Sequence, residues 1–198
     1  MKSLKTDIST LIFATGNDNK VEEIRSFMGK NYIIKSLKDI SFLDDIPETS
    51  PTIEGNAIQK AQWVFDNLGY NCFSEDTGFE VEGLNGEPGV LSARYAGPER
   101  DPAANMKKVL DSLQGNENRK ARFKTVIALI IDGEVKCFEG ICEGEVTLTK
   151  QGTKGFGYDP IFKPNNFDIT FAQMSMEEKS KISHRGRAMK KFVEFCSK

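Results

Sequence analysis

Four short segments of the chain carry the residue types that phosphate chemistry needs. They are TGNDNK (Thr15–Lys20), SEDTG (Ser74–Gly78), GFGYDP (Gly155–Pro160) and SHRGRA (Ser183–Ala188). Together they offer a lysine, two adjacent carboxylates, a glycine-rich loop with aromatic residues, and the chain's single histidine beside an arginine. The combination indicates a site that hydrolyses a nucleotide.

The first segment lies between an apolar run and a helical pattern, so it predicts a strand, a turn and the start of a helix. Backbone N–H groups at a helix N-terminus attract phosphate, and Lys20 adds a positive charge. Thr, Gly and Asn also fill ordinary turns. Taken alone, the segment fits a plain strand-to-helix connection as well.

The carboxylates Glu75 and Asp76 follow the predicted strand Asn71–Ser74. Acids at a strand tip beside a glycine are suited to a hard divalent cation, and Mg²⁺ is the cation that phosphate chemistry commonly uses. Glu48, which precedes a predicted helix, could join them from another segment. Without such a partner, the acid pair would be a solvated turn.

Further candidate cations lie near the C-terminus. A lone histidine is more often structural than functional, but His184 lies between Ser183 and Arg185. Of the two nearby lysines, we assign Lys181 to an exposed face where it pairs with Glu177 or Glu178, and the sequence leaves the role of Lys179 open.

Phe156 and Tyr158 alternate with the glycines of the third segment. They suit the core. An aromatic ring exposed on such a loop could instead stack on a base, which contributes roughly 1–3 kcal/mol in nucleic-acid complexes.

Several other enzyme classes are excluded because the sequence lacks their motifs. The sequence has no G-x-x-x-x-G-K-[ST] phosphate loop and no G-x-S-x-G nucleophile elbow, and GFGYDP lacks the third glycine of a dinucleotide fingerprint.

Composition narrows the class of protein further. The 198 residues, 38% hydrophobic and 28% charged, predict one globular domain over residues 1–198. A net charge of −2 argues against a nucleic-acid binder. No apolar run approaches the ~20 residues of a membrane span, and the N-terminal run is too short for a signal peptide. We therefore expect a cytoplasmic protein without membrane contact and with reduced cysteines.

Hydrophobic periodicity predicts the secondary structure. The predicted strands are 10–14, 32–36, 71–74, 121–132, 134–139 and 143–149; the predicted helices are 21–28 (ending at Gly29), 51–68 (capped by Ser50), 102–114, one starting at the Ser175 capping box, and a C-terminal one. This order predicts an α/β fold, a mixed sheet with flanking helices, in which two lobes around a central cleft are a natural outcome.

The four segments, with GLNGEPGVLSARYAG (Gly83–Gly97) and the extended forms GFGYDPIF and EEKSKISHRGRA, resemble the inosine/xanthosine triphosphate pyrophosphatase family. These are the Ham1-like or RdgB-like non-canonical purine NTP pyrophosphatases. The resemblance covers essentially the whole chain in order. It implies the two-lobed fold of that family, a homodimer, Mg²⁺, and the reaction NTP + H₂O → NMP + pyrophosphate with preference for ITP, dITP and XTP.

The resemblance also implies roles for individual residues. Asp76 is the general base and a metal ligand, Glu48 is the second metal carboxylate, and Thr77 contacts substrate. The triphosphate ligands are Thr15, Gly16, Asn17, Asp18, Asn19 and Lys20; the remaining base and phosphate contacts are Phe156, Gly157, Tyr158, Asp159, Lys179, His184 and Arg185.

The chain departs from the family's frequent D-D-S-G pattern by reading Glu75-Asp76-Thr77-Gly78. The longer Glu75 leaves open which acid binds the metal directly, so Glu75 remains a candidate ligand.

The base preference can be explained by hydrogen bonding. Hypoxanthine and xanthine present a 6-oxo acceptor beside an N1–H donor, whereas adenine presents the reverse. Arg185, or His184 if it donates, would suit O6 and Asp159 would suit N1–H, so adenine would leave buried groups unpaired. Guanine shares both groups and must be rejected by pocket shape.

Two other functions stay open at this level. One is a Maf-like nucleotide pyrophosphatase with pyrimidine or modified-nucleotide preference, against which FGYD and SHR argue. The other is a nucleotide sensor that has lost turnover, against which the retained Lys20, Glu48 and Asp76 argue.

Overall fold

A computed structural model describes residues 10–28 and 33–197. Gly29 and Tyr32, expected to end the first helix and begin the second strand, lie outside these ranges. The helices are α1 (Asp18–Met28), α2 (Ile53–Leu68), α3 (Pro102–Ser112), α4 (Met176–Ile182) and α5 (His184–Cys196). The strands are β1 (Thr10–Phe13), β2 (Ile33–Ser36), β3 (Cys72–Val81), β4 (Pro88–Gly89), β5 (Lys120–Ile131), β6 (Glu134–Val146) and β7 (Phe162–Pro164).

All seven described strands form one mixed sheet in the order β2-β1-β3-β5-β6-β7, with β4 paired to β3. β1 pairs in parallel with β2 and β3, and the other pairs are antiparallel. The parallel connections run through α1 and α2, as expected for strands joined by crossover helices. The mixed α/β sheet predicted from the sequence is confirmed.

The long strands β3 and β5 each contribute to three hydrophobic clusters. Near one end of β3, Phe73 packs with α1 and α5 on one face, and Cys72 packs with α2 on the other. Near the other end, Phe79 and Val81 pack with α3 and with the chain around β7. The polar segment Ser74–Gly78 lies between these regions, so the sheet forms two lobes that share β3.

Two strands differ from the sequence prediction. Glu75 and Asp76 were expected just beyond a short strand, but β3 continues to Val81 and both residues lie inside it. The two strands predicted over 134–149 form one strand, β6, because its pairing with β5 continues without a break from Glu134 to Glu145.

Helix ends follow the predicted capping chemistry, with one exception. Ser175 and Glu178 form the expected capping box at the start of α4, and Gly69 ends α2 in the left-handed conformation. The cap of α2 is Thr52 rather than Ser50, because its hydroxyl accepts the N–H of Gly55. Among the described residues, no helix has both the length and the apolar character to cross a membrane.

Candidate active site

A cleft of about 620 Å³ opens where the two lobes meet. This volume lies within the range typical of small-molecule sites. The cleft is lined by residues from all four segments that the sequence singled out: Thr15, Gly16, Asn17, Asn19, Lys20, Asp76, Thr77, Phe156, Gly157, Tyr158, Asp159, His184 and Arg185. Lys179, just before the fourth segment, lines it too. Glu48 also lines it, whereas Asp18 and Glu75 do not.

The neighbouring acids of β3 occupy different environments because successive strand residues point to opposite faces. Asp76 reaches the cleft, and its Oδ1 accepts a hydrogen bond of 3.0 Å from the ammonium of Lys60. Glu75 is completely buried behind the cleft. One strand therefore supplies one carboxylate for chemistry and another for internal pairing.

Lys60, which sequence reasoning missed, brings the cleft carboxylates together. Its Nζ lies 2.5 Å from Glu48 Oε1, 3.0 Å from Asp76 Oδ1 and 3.0 Å from the carbonyl oxygen of Glu75. Burial alone would lower the pKa of Lys60, but Asp76 and Glu48 outweigh it and raise that pKa, so Lys60 is a cation. A sequence signal existed, since Lys60 falls on the inward face of α2 between Ala57 and Val64.

The donor set at Lys60 also fits Mg²⁺. Two carboxylates, Glu48 and Asp76, come from different elements and contact the same ammonium, so they form a pair at this end of the cleft. Mg²⁺ is commonly held by one or two carboxylates, with phosphate oxygens and water completing its shell. Glu48 and Asp76, two of the three ligands predicted from the sequence, would hold it, and their role as ligands stays a prediction.

Glu75 is corrected from a candidate metal ligand to the counter-ion of Arg185. Arg185 Nε and Nη2 donate to Glu75 Oε2 and Oε1 at 2.6 and 2.7 Å, and Thr77 Oγ1 donates to Oε1 at 2.7 Å. Although burial raises the pKa of Glu75, Arg185 and Lys20 hold it well below 4.5. Glu75 is completely buried, lies outside the cleft lining and pairs with Arg185, so it does not face a metal in the cleft.

Glu23 completes this buried network and was also missed from the sequence. It accepts hydrogen bonds from Arg185 Nη1 and from Lys179 Nζ, which lower its pKa against the effect of burial. Three of the five guanidinium N–H groups of Arg185 are therefore used by two carboxylates. The two that remain can still meet a base, because Arg185 lines the cleft.

The first loop, Thr15–Lys20, makes hydrogen bonds within itself. Asn17 Oδ1 accepts the backbone N–H groups of Asn19 and Lys20 at 3.1 and 3.3 Å, so it caps α1. Asp18, a predicted phosphate ligand, forms an exposed ion pair of 2.6 Å with Lys38; Lys38 lines the cleft, whereas Asp18 does not. Lys20 is the cation that the loop delivers, 3.3 Å from Glu75 Oε1.

The glycine-rich loop divides its aromatic residues between two roles. Tyr158 is buried, stacks on Phe79 at 4.7 Å and donates its hydroxyl to the carbonyl of Ser92 at 2.8 Å, which supports the core role that the sequence left open for it. Phe156 is less buried, and Lys179 Nζ and the Arg185 guanidinium lie 5.2 and 5.4 Å from its ring centre. Phe156 is thus the aromatic candidate for a base.

Asp159 sits between this loop and Lys179. Its Oδ2 accepts from the Phe156 N–H at 2.8 Å and from Lys179 Nζ at 2.7 Å. Burial raises the pKa of Asp159 in spite of these contacts. The structure gives no partner to its other oxygen within the described residues, so Asp159 retains an acceptor at the cleft.

His184 begins α5 directly after Ser183, whose hydroxyl caps the helix by accepting the N–H of Gly186. Its ring stacks on Phe123 at 4.5 Å, and its Nδ1 is buried without a hydrogen-bond partner in the described parts of the chain. Burial, with Arg185 and Lys179 nearby, holds the pKa of His184 well below 6.5. A neutral imidazole therefore faces the cleft.

The buried histidine predicts how stability depends on pH. Unfolded His184 takes up a proton below about pH 6.5, and the folded state does not, so the free energy of unfolding should fall as pH drops from 7 to 5. His184 is the chain's single histidine, which makes this window diagnostic. Urea unfolding at successive pH values should show the slope in the wild type and its loss in His184→Gln; equal slopes would contradict the assignment.

The cleft and its charged residues can be compared with known proteins. The family model described as "Ham1 family" matches residues 11–195. A Flavobacterium johnsoniae protein named dITP/XTP pyrophosphatase is 54% identical, over 94% of this chain and 97% of that protein. A Bacillus subtilis protein of the same name is 44% identical, over 91% and 93% respectively.

Solved structures agree with these sequence matches. The Staphylococcus aureus Ham1 protein superposes with a TM-score of 0.86 at 37% identity, covering 95% of this chain and 98% of that one. A Coxiella burnetii HAM1 protein gives a TM-score of 0.87 at 33% identity, with the same coverage.

Proposed function

The chain belongs to the Ham1 family, and from that premise we propose that it hydrolyses the non-canonical purine triphosphates ITP, dITP and XTP to monophosphate and pyrophosphate. The observation that carries the proposal is the convergence of Glu48 and Asp76 on one cation in a cleft beside Lys20. The biological consequence would be removal of damaged purines from the nucleotide pool.

In the proposed reaction, Asp76 accepts the proton of the attacking water. Asp76 is largely buried but lines the cleft, and it can orient a water within one hydrogen bond of its oxygen. The chain shows no activated nucleophile near it, among the described residues, that would require a covalent intermediate. Direct hydrolysis is therefore the simpler mechanism.

The positive charges around Asp76 stabilise the leaving pyrophosphate. Lys20 and Lys60 both line the cleft within 3.4 Å of β3 atoms, where little water screens them. Fixed charges of this kind act without reorganisation at the moment of reaction. When bound at Glu48 and Asp76, Mg²⁺ would neutralise further charge on the phosphate oxygens.

The base would lie at the opposite end of the cleft, against Phe156. The two remaining N–H groups of Arg185 are suited to O6, and Asp159 has an acceptor suited to N1–H. His184 supplies one more polar atom, since its Nδ1 is unpaired in the described chain. Adenine would place its 6-amino donor against the N–H donors of Arg185 and its N1 acceptor against the acceptor of Asp159. Both pairs would leave polar groups without a hydrogen bond, which lowers affinity strongly.

Three further features belong to the same proposal. They are the use of Mg²⁺, assembly as a homodimer and location in the cytoplasm. The carboxylate pair supports the first, and the resemblance of the whole chain to the family supports the second and third.

The products of ITP hydrolysis test the reaction type. With Mg²⁺ present, we expect one IMP and one pyrophosphate per ITP, separated by ion-exchange chromatography and counted with a coupled pyrophosphate assay. IDP with orthophosphate would mean cleavage of the terminal phosphate and would overturn the mechanism. No release at all, with ITP bound, would favour the nucleotide sensor instead.

A further inference from the structure

We propose that Gly140 is a positioning residue for base recognition: because it has no side chain, the first turn of α5 rests directly on β6 and places His184 and Arg185 at the cleft. Gly140 belongs to none of the predicted site residues and lies outside the cleft lining. It acts through the backbone of α5 and touches no substrate atom. The proposal deepens the function above and rests on it.

Gly140 lies where the backbones of β6 and α5 are in direct contact. A Cβ atom on Gly140 would be 2.0 Å from the carbonyl oxygen of His184 and 2.5 Å from the backbone nitrogen of Ala188. Both are backbone atoms of the helix, so no side-chain rotation makes room for it. A larger residue at position 140 must therefore lift the first turn of α5 until the contact with His184 approaches an ordinary 3.4 Å.

Farther along α5, the space between helix and strand is filled by aromatic rings. Phe138 lies two positions before Gly140 and so on the same face of β6. Its ring centre is 5.6 Å from that of Phe192 and 5.4 Å from that of Phe195. The helix is thus held off the strand by rings toward its C-terminus and by no side chain of Gly140 at its first turn. This difference inclines the N-terminus of α5 toward the cleft.

Two hydrogen bonds fix α5 to the strand on either side of Gly140. Arg187 Nη1 donates to the carbonyl of Ile141 at 2.8 Å, and Lys191 Nζ donates to the carbonyl of Glu139 at 2.7 Å. Arg187 and Lys191 are exposed and lie outside the cleft lining. The first turns of α5 are therefore anchored without using any group that faces the substrate.

His184 is the residue that a lifted helix would displace most. Its buried ring stacks on Phe123 at 4.5 Å, and its short side chain cannot compensate for a shift of the backbone. Arg185 has a longer side chain, and carboxylates of β3 and α1 hold its guanidinium in place. Displacing a positioned group by about 1 Å can cost about a hundredfold in rate. The seat on Gly140 therefore sets the geometry in which the base is read.

Binding of the two products separates positioning from general damage. Isothermal titration with IMP and, separately, pyrophosphate, both at saturating Mg²⁺, should be run on the wild type and Gly140→Ala. We expect IMP binding to weaken about 10–100-fold in the variant. Pyrophosphate affinity should stay within about twofold, because Lys20 and Lys60 are held on atoms of β3 rather than α5. In steady-state assays, KM for ITP should rise more than kcat falls.

His184 also gives a spectroscopic readout that needs no turnover. It is the single histidine of the chain, so its imidazole signals in an NMR spectrum have one origin. Those signals depend on the stacked ring of Phe123. They should shift in Gly140→Ala, which a loss of stability elsewhere in the fold would not produce.

Gly83→Ala is the matched control, because a Cβ atom there would lie 2.2 Å from the carbonyl oxygen of Asn118, outside the cleft lining. It should lower the melting temperature as Gly140→Ala does, and change neither affinity nor the His184 signals. Unchanged IMP affinity in Gly140→Ala, or equal losses for IMP and pyrophosphate, would overturn the proposal. So would a matching loss of IMP affinity in Gly83→Ala.

If Gly140→Ala does not fold, Arg187→Met takes its place, since it removes only an exposed hydrogen bond beside the same contact. IMP binding should then weaken about threefold with pyrophosphate binding unchanged, the size expected for one hydrogen bond. Unchanged IMP affinity would overturn the proposal. A wild type that binds IMP but does not release IMP and pyrophosphate from ITP would instead refute the proposed function, and the binding test of Gly140 would still hold.

Discussion

Replacing Asp76 by asparagine should lower kcat for ITP by about 10²–10⁴-fold, the usual contribution of a general base. The substitution keeps the size of the side chain and removes the charge that accepts the proton and binds the metal. The fold should survive it, because Lys60 keeps two other acceptors, Glu48 and the Glu75 carbonyl. Steady-state kinetics with ITP and Mg²⁺, beside a thermal unfolding curve, would measure both effects.

Glu80→Gln provides the control for that experiment. Glu80 lies on the same strand as Asp76, and its carboxylate pairs with Arg122 outside the cleft lining. Its replacement should leave kcat within about twofold of the wild type. Near-normal kcat in Asp76→Asn would remove Asp76 from the mechanism.

Replacing Arg185 by alanine should reduce the free energy of unfolding by about 3–5 kcal/mol, the cost of leaving buried charges without their partner. Arg185 is 2% exposed and binds two buried carboxylates, Glu75 and Glu23. The loss should appear in urea unfolding at pH 7. A structural loss lowers kcat/KM for ITP and ATP together and would mask the loss of the proposed contact with O6, so this variant alone does not test base recognition.

Neutralising Glu75, which loses its counter-ion in Arg185→Ala, tests whether an unpaired buried charge causes the loss of stability. The double variant Arg185→Ala/Glu75→Gln should be more stable than Arg185→Ala alone, because one uncompensated buried charge has gone. Arg122→Ala, at a partly exposed pair, should cost no more than about 1 kcal/mol. If Arg185→Ala lowered the free energy of unfolding no more than Arg122→Ala does, the ion pairs of Arg185 with Glu75 and Glu23 would not stabilise the fold.

The sequence predicted the elements of the fold well because periodicity and caps are local signals. The end of β3 was missed because SEDTG carries turn-forming residues, and only its pairing with β5 through ten residues keeps it extended. Because of that error, the sequence did not predict that Asp76 faces the cleft while Glu75 is buried behind it. Adjacent residues face opposite sides only if the strand continues through them.

The site was predicted where it depended on motifs and missed where it depended on buried charge pairing. Lys60 carried a detectable signal, a charge on the apolar face of α2, whereas Glu23 lies next to Ile24 in α1 and carried none. The pairing of Arg185 could not be predicted from the sequence, because its partners Glu75 and Glu23 are 110 and 162 positions away in the chain. For Tyr158 the sequence left the core and base stacking as alternatives, and its burial against Phe79 favours the core.

The central claim is that this cleft selects the 6-oxo purines, and a substrate panel tests it most directly. The measurement is kcat/KM with Mg²⁺ for ITP, dITP, XTP, GTP, ATP and dUTP, scored by pyrophosphate release. We expect ITP, dITP and XTP to exceed ATP by at least about a hundredfold, since adenine leaves buried donors and acceptors unpaired. Comparable values for ATP and ITP, or a preference for dUTP, would contradict the account.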